Sequence, residues 1–259
     1  MSNLLRRISS SEKLNNFKLW IFKNFGIYFK IKRFLPSTME QLRTVLLCNH
    51  YNIKYVFDIG ANTGQFANYL FKLGYKGKII SFEPTSEVHS ILKKRAKNIE
   101  NWIIAELMAL GSTKGNIYLY KYADSVFNSA LQINSDFAKD KDYLKVISKV
   151  NVPVNKLDDI ASKYFDISAS NYLLKIDTQG FEKEVLDGAK IIVNNASLIK
   201  IEVPIKPIYN NTKWTFYEII SFMKEKNFHP INFDIEGANE NGIVRTVDFT
   251  FLNLSKHKL

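Results

Sequence analysis

A single cysteine, Cys48, stands among 259 residues. No disulfide can form within the chain, and a reducing, cytoplasmic setting is the expectation. Histidine is scarce too: His50, His89, His229 and His257 are scattered, and none sits with other ligand-type residues at the spacing of a zinc or iron site, so no metal is assigned. Long apolar runs are missing. The longest candidate, "LWIFKNFGIYF", is broken by Lys23 and falls far short of the ~20 residues a membrane-spanning helix needs. Lysines also interrupt it as a secretory leader would not allow, and no small-residue cleavage site follows. Acidic residues are few, 25 against 36 lysines and arginines, for a formal charge of +11. That excess is local: Met1–Arg43 holds nine basic residues against Glu12 and Glu40, which is +7 of the total. The remainder has the charge of an ordinary globular domain, and nucleic acid is not an expected partner.

What is present begins with that basic segment. On a helix, Leu14, Phe17, Ile21, Phe22, Phe25, Tyr28 and Phe29 share one face while Lys13, Asn16, Lys23 and Lys30 share the other. Such a helix over 13–34 either lies in the interface of an anionic membrane or docks on the protein's own core. The expected organisation is a basic, aromatic extension over 1–53 and one α/β domain over 54–259. With 46% hydrophobic residues the chain can bury one sizeable core. From Lys54 onward strand-like and helix-like stretches alternate, which predicts a parallel sheet covered by helices. Strands are expected at 55–59, 77–83, within 101–110, at 171–177 and at 196–203. Helices are expected at 65–73, at 86–97 with Ser86 as N-cap, through "EKEVLDGAK", and at 214–227. "GNIYLYKY" alternates as an antiparallel strand, 123–150 reads as a loop with a helix covering a site, and "FHPINFD" with "TVDFTFLN" forms an antiparallel edge pair.

The stretch 58–64, Asp-Ile-Gly-Ala-Asn-Thr-Gly, joins the first strand to the first helix of this pattern but lacks the G-x-G-x-x-G spacing of a dinucleotide fingerprint. Gly60 and Gly64 are expected to let the turn, with Ala61 and Asn62, run close under a ligand. Asp58 at its mouth disfavours a diphosphate. S-adenosylmethionine has no phosphate, offers an ammonium and a sulfonium to acids, and offers a carboxylate to loop N–H groups. Glu83 ends the second strand, where a carboxylate can accept both ribose hydroxyls of an adenosine.

These features sit within a longer likeness. "VFDIGANTGQF", "SFEPTSE", "ALGSTKGNIYLY", "NSALQ", "VPVNKLDDI", "LLKIDTQGFEKEVLDGAK", "IEVPIKPIY" and "VDFTFLN" occur in one order over about 54–253, and the chain resembles the FkbM family of S-adenosylmethionine-dependent methyltransferases. The resemblance implies a Rossmann-like class I methyltransferase sheet of seven mostly parallel strands, an antiparallel C-terminal strand and helices on both faces. It also implies methyl transfer to a hydroxyl of a sugar or secondary metabolite, so a small-molecule or glycan acceptor, and cofactor contacts at Ala109 and Leu110, although "AELM" before them departs from the pattern.

The acceptor side follows from strand geometry. Residues two apart on a strand share a face, so Lys175 pairs with Asp177 on "LLKID", and Lys200 with Glu202 on "LIKIEV". A hydroxyl acceptor needs a base. Asp177 is assigned as base or positioning group, Lys175 as its electrostatic partner and Glu202 as an orienting acid. A lysine in so apolar a strand needs a carboxylate, which Asp177, Asp158 or Glu202 can supply, and a purely structural Lys175–Glu202 pair is the competing reading. Gln179 and Gly180 are expected to face a polyol, Tyr209 and Trp214 to form a platform for a sugar ring, and Glu182 to favour the helix start that follows. Two rival functions use the same fold: an RNA ribose methyltransferase, and a non-catalytic membrane-associated scaffold.

Overall fold

The computed structural model describes Asn24 and residues 40–166, 170–238 and 241–259, so the helix expected over 13–34 lies outside the described residues but for Asn24. Val45–Leu259 forms one compact unit, which carries both sheets. Among the described residues no helix is long and apolar enough to cross a membrane.

The main sheet is built from β1 (Tyr55–Ile59), β2 (Lys78–Phe82), β3 (Trp102–Ile104), β7 (Tyr172–Ile176), β8 (Leu198–Pro204), β9 (Phe228–Ala238) and β10 (Val244–Asn253). Their order is β3-β2-β1-β7-β8-β10-β9. All neighbours pair parallel except β10, which runs antiparallel to β8 and β9. "YVFDI", "YLLKI" and "LIKIEVP" are nearly all apolar because both faces of a parallel sheet are covered. Val56, Leu173 and Leu198 point into one core with Ala67 and Leu70 of α2 (Gln65–Lys72) and Leu92 of α3 (Ser86–Ala96). Phe57, Leu174 and Ile199 point into the other, with Val185, Ile192 and Ile219 from the helices after β7 and β8. The expected α/β class, with helices on both faces, is what the chain adopts.

The chain builds outward from β1 through β2 to β3, then returns to β1's other edge with β7 and continues to β8. The carboxyl ends of β1 and β7 therefore flank the point where the direction of winding reverses, the place where open α/β sheets hold ligands. In register across that point runs a row of polar residues: Ser81, Asp58, Lys175, Lys200 and Thr250.

Several sequence expectations change. The stretch 101–110 divides into β3 and a two-residue β4 (Ala109–Leu110), which joins β6 (Val146–Asn155) and β5 (Gly115–Tyr122) in a separate three-stranded sheet. Residues 146–150 are thus strand rather than loop, paired with 119–122 of β5. Between β5 and β6 lies a cover of short turns and one helical turn, α4 (Ser135–Ala138). Thr85, not Ser86, is the N-cap residue of α3. "EKEVLDGAK" is interrupted into α6 (Glu182–Asp187) and α7 (Lys190–Asn195) at Gly188, whose carbonyl accepts Asp158 N–H at 3.1 Å and where a Cβ would meet the Gly111 carbonyl oxygen at 1.9 Å.

Candidate active site

The turn between β1 and α2 is closed by its own hydrogen bonds. The N–H groups of Gly60 and Ala61 both donate to the Phe82 carbonyl at 3.1 and 3.0 Å, and that of Gly64 donates to Ala61 at 2.8 Å. Asn62 N–H donates to Glu83 Oε2 at 3.0 Å, and Thr63 N–H to Asn62 Oδ1 at 2.6 Å. Every N–H from Gly60 to Gly64 is therefore spent inside the protein, so the expected loop donors for a ligand carboxylate are not offered. The glycines serve packing instead of ligand clearance. Gly60 has φ +74°, and a Cβ there would fall 1.8 Å from the Asp177 carbonyl oxygen; Gly64 has φ +85°, and a Cβ there would fall 2.5 Å from the Trp102 ring. Positive φ and zero clearance each demand glycine.

Asp58 also takes a different part from the one its position suggested. It is fully buried, accepts the Ser81 hydroxyl at 3.0 Å and lies 3.2 Å from Lys175 Nζ. Ser81 in turn accepts Trp102 Nε1–H at 2.9 Å. Its charge is met from within the sheet, by Lys175 and the Ser81 hydroxyl. Glu83, at the end of β2, is 6% exposed. Its Oε1 accepts Thr85 N–H at 2.8 Å while Oε2 holds Asn62 N–H. Burial pushes its carboxyl above the usual range, and the hydrogen bonds from Thr85 and Asn62 pull against that shift.

At the end of β7 the predicted acids and the lysine come together. Lys175 Nζ lies between Asp58 and Asp177 Oδ2, 3.2 and 3.4 Å away, and donates to the Gly60 carbonyl at 3.2 Å. Burial disfavours its charge, but the two carboxylates outweigh burial and hold the ammonium above the usual lysine range. Of the three partners the sequence allowed, Asp177 is the one present, joined by Asp58. Asp158 instead accepts the N–H groups of Ile191 and Ile192 at the start of α7. Lys200 is ion-paired with Asp248 of β10, a residue the sequence reading passed over because the β8–β10 register cannot be read from either strand alone.

Gln179 links the acids. Its Nε2 donates to Asp177 Oδ1 at 2.8 Å and to Glu202 Oε2 at 3.1 Å, and its Oε1 accepts the Tyr209 hydroxyl at 2.9 Å. Its side chain is thus consumed by protein and is a bridge rather than a hand held out to a polyol. Gly180 has φ +95° and packs against Leu131 and Tyr209. The sugar platform does not form: Tyr209 is buried beneath the cover, and Trp214 packs on Phe222 with ring centroids 4.9 Å apart. Ala109 and Leu110 are buried in β4 of the small sheet.

Sequence reasoning missed the cover's polar contacts. Asn62 Nδ2 donates to Ser125 Oγ at 3.3 Å, Asn128 Nδ2 reaches Thr85 Oγ1 at 3.5 Å, and Ser129 Oγ donates to the Gln179 carbonyl at 2.7 Å. The cover therefore touches the glycine turn, the turn after Glu83 and the turn after Asp177. The motif "NSALQ" was the available signal, since it holds Asn128 and Ser129.

The methyltransferase FkbM domain matches residues 58–230, more than half of the chain. The chain belongs to the FkbM methyltransferase family. A curated relative, methyltransferase sdnD of Sordaria araneosa, is 26% identical over 157 residues, 52% of this chain and 60% of that protein. The match thus spans less than two thirds of the relative's length. Among solved structures, the methyltransferase domain of bacterial CtHen1-CN is 11% identical, covering 83% of this chain and 98% of that one with a TM-score of 0.46. The Burkholderia thailandensis 1,6-didemethyltoxoflavin-N1-methyltransferase, bound to 1,6-didemethyltoxoflavin and S-adenosylhomocysteine, is 9% identical, covering 92% and 86% with a TM-score of 0.43.

The cofactor of this FkbM methyltransferase domain is S-adenosylmethionine, and the residues present fit it. The turn's N–H groups are occupied, which removes the cradle a diphosphate requires. Glu83 is held at two oxygens by backbone donors, each oxygen keeping a further lone pair for a ribose diol. Glu83, with Asn62 beside it, would hold the adenosine end, while the Lys175–Asp177 pair stands across the Gly60 turn from it.

Proposed function

We propose that the whole protein is an O-methyltransferase acting on a hydroxyl of a sugar, glycan or secondary metabolite. One observation carries this reading: Asp177, whose side chain is 39% exposed, is backed by buried Lys175 while its carbonyl lies against Gly60 of the cofactor turn. A partly exposed carboxylate fixed beside the cofactor is suited to take a proton from an acceptor hydroxyl. When bound, the cofactor supplies a methyl group on a positively charged sulfonium. Lys175 keeps Asp177 in place, Gln179 sets its spacing to Glu202, and Glu202 orients the acceptor by a second hydrogen bond. Positioning of this kind supplies a large part of the rate in a two-substrate reaction. The sugar or metabolite class rests on the family resemblance. The single cysteine supports a reducing, cytoplasmic setting, and the basic charge of residues 1–43 supports contact with an anionic membrane surface.

The test is release of S-adenosylhomocysteine by the full chain from S-adenosylmethionine across a panel of sugars, glycans, hydroxylated metabolites and generic RNA. Methylation of a hydroxyl in the first three classes is expected. Methylation of RNA alone, or of amines alone, contradicts the reading.

A further inference from the structure

Glu182 opens α6, where an acid is ordinarily explained by the helix start. Its contacts point elsewhere. It is 4% exposed, and its Oε1 accepts three donors from the preceding turn: Thr178 N–H at 2.9 Å, Thr178 Oγ1–H at 3.2 Å and Gly180 N–H at 3.1 Å. These donors flank Gln179, a non-glycine residue held at φ +56°. That left-handed conformation is disfavoured for any residue with a Cβ and persists only where surrounding bonds enforce it. It is also the conformation in which the Gln179 amide spans Asp177 and Glu202. Ser129 of the cover grips the same residue by its carbonyl.

We propose that Glu182 is a positioning residue that sets the acceptor-side clamp through Gln179, and that its protonation loosens the clamp. The link to acceptor chemistry rests on the reading of Asp177 given above; the link from Glu182 to Gln179 does not. Burial, with the negative charge of Asp177 adding to it, raises the Glu182 carboxyl to about 7 against the pull of its backbone donors. Above that pH the three bonds are charge-assisted and strong; below it they become ordinary ones. The charged and titratable groups around the turn are Asp177 and Lys175 on β7, Asp58 behind them on β1, Glu202 on β8, and the Tyr209 hydroxyl under the cover.

The experiment needs no acceptor. In 15N-labelled full-length protein, the Gln179 side-chain amide resonance, identified by its loss in Gln179→Ala, is followed from pH 5.5 to 8.5. In the wild type it is expected to move with a midpoint near 7; in Glu182→Gln, confirmed folded by its melting curve, the displacement is expected to fall at least about tenfold. A wild-type resonance that does not move overturns the proposal without any variant. So does a transition that survives in Glu182→Gln, since it then belongs to a group other than Glu182. Either failure leaves the methyl-transfer reading standing, and failure of the acceptor panel leaves this coupling standing.

Discussion

At the scale of single residues, the site is governed by what is already spent. Lys175 is shared between Asp58 and Asp177, and Gln179 between Asp177 and Glu202; the proposed reaction assigns proton acceptance to Asp177, whose side chain is 39% exposed. Asp177→Asn is expected to bind S-adenosylhomocysteine within about twofold of the wild type by calorimetry, while methyl transfer falls by roughly 100-fold or more. Equal turnover removes Asp177 from the mechanism. Gly60→Ala forces a Cβ to 1.8 Å from the Asp177 carbonyl at φ +74° and is expected to cost about 3 kcal/mol or more. Thermal unfolding would show it as a drop on the order of 10 °C. Glu182 ties stability to pH. Its folded value is raised from 4.5 to about 7, so the folded state holds the proton longer than the unfolded one across that window. The contribution is fully present below about pH 4.5 and lost as pH rises through about 7. The wild type is therefore expected to lose stability between pH 4.5 and 7 relative to Glu182→Gln in parallel denaturant titrations. Cys48 is 1% exposed with its thiol pushed up to about 12, and alkylation by iodoacetamide is expected only after unfolding.

At the scale of elements, the strands were the legible part. β1, β7 and β8 announce themselves as short apolar runs, and their sheet buries both faces, so pattern and structure agree. The polar residues inside those runs were legible as chemistry but not as partnerships. Asp58 beside Lys175, and Lys200 paired with Asp248 two residues from its register partner Thr250, depend on register between strands more than a hundred or nearly fifty residues apart in sequence, which no local pattern encodes. The glycine turn misled for a related reason: the sequence shows that Gly60 and Gly64 have no side chain, and only the fold shows that Asp177 and Trp102 occupy the space. The cover was legible as irregular, polar chain but not as a set of contacts. Ser129 ties it to the Gln179 carbonyl and accepts Leu131 N–H at 2.9 Å. Ser129→Ala is expected to cost about 1–2 kcal/mol and to speed amide exchange over 123–134 with little change in β7 and β8. Uniform acceleration across the sheet contradicts a local tie.

At the scale of the whole molecule, the winding reversal between β1 and β7 brings two chemistries to one edge of the sheet. On the β1–β2 side, a turn with no free donors and a backbone-held Glu83 favour an adenosine without a diphosphate. On the β7–β8 side, Asp177, backed by Lys175, is joined to Glu202 by Gln179, the pair to which the proposed function assigns the acceptor. The overall architecture could be read from alternation of strand and helix, and the family from collinear motifs, because both are written in local residue order. The small β4-β6-β5 sheet was hidden, since its strands are short or lie in polar chain that looks like loop. Glu83 and the closed turn are expected to select a diol-bearing, phosphate-free donor, and titration calorimetry of the full chain measures that selection. S-adenosylhomocysteine is expected to bind the wild type and to weaken at least about tenfold in Glu83→Ala, with no heat from NAD. Binding of NAD to the wild type, or undiminished binding of S-adenosylhomocysteine to Glu83→Ala, would contradict it.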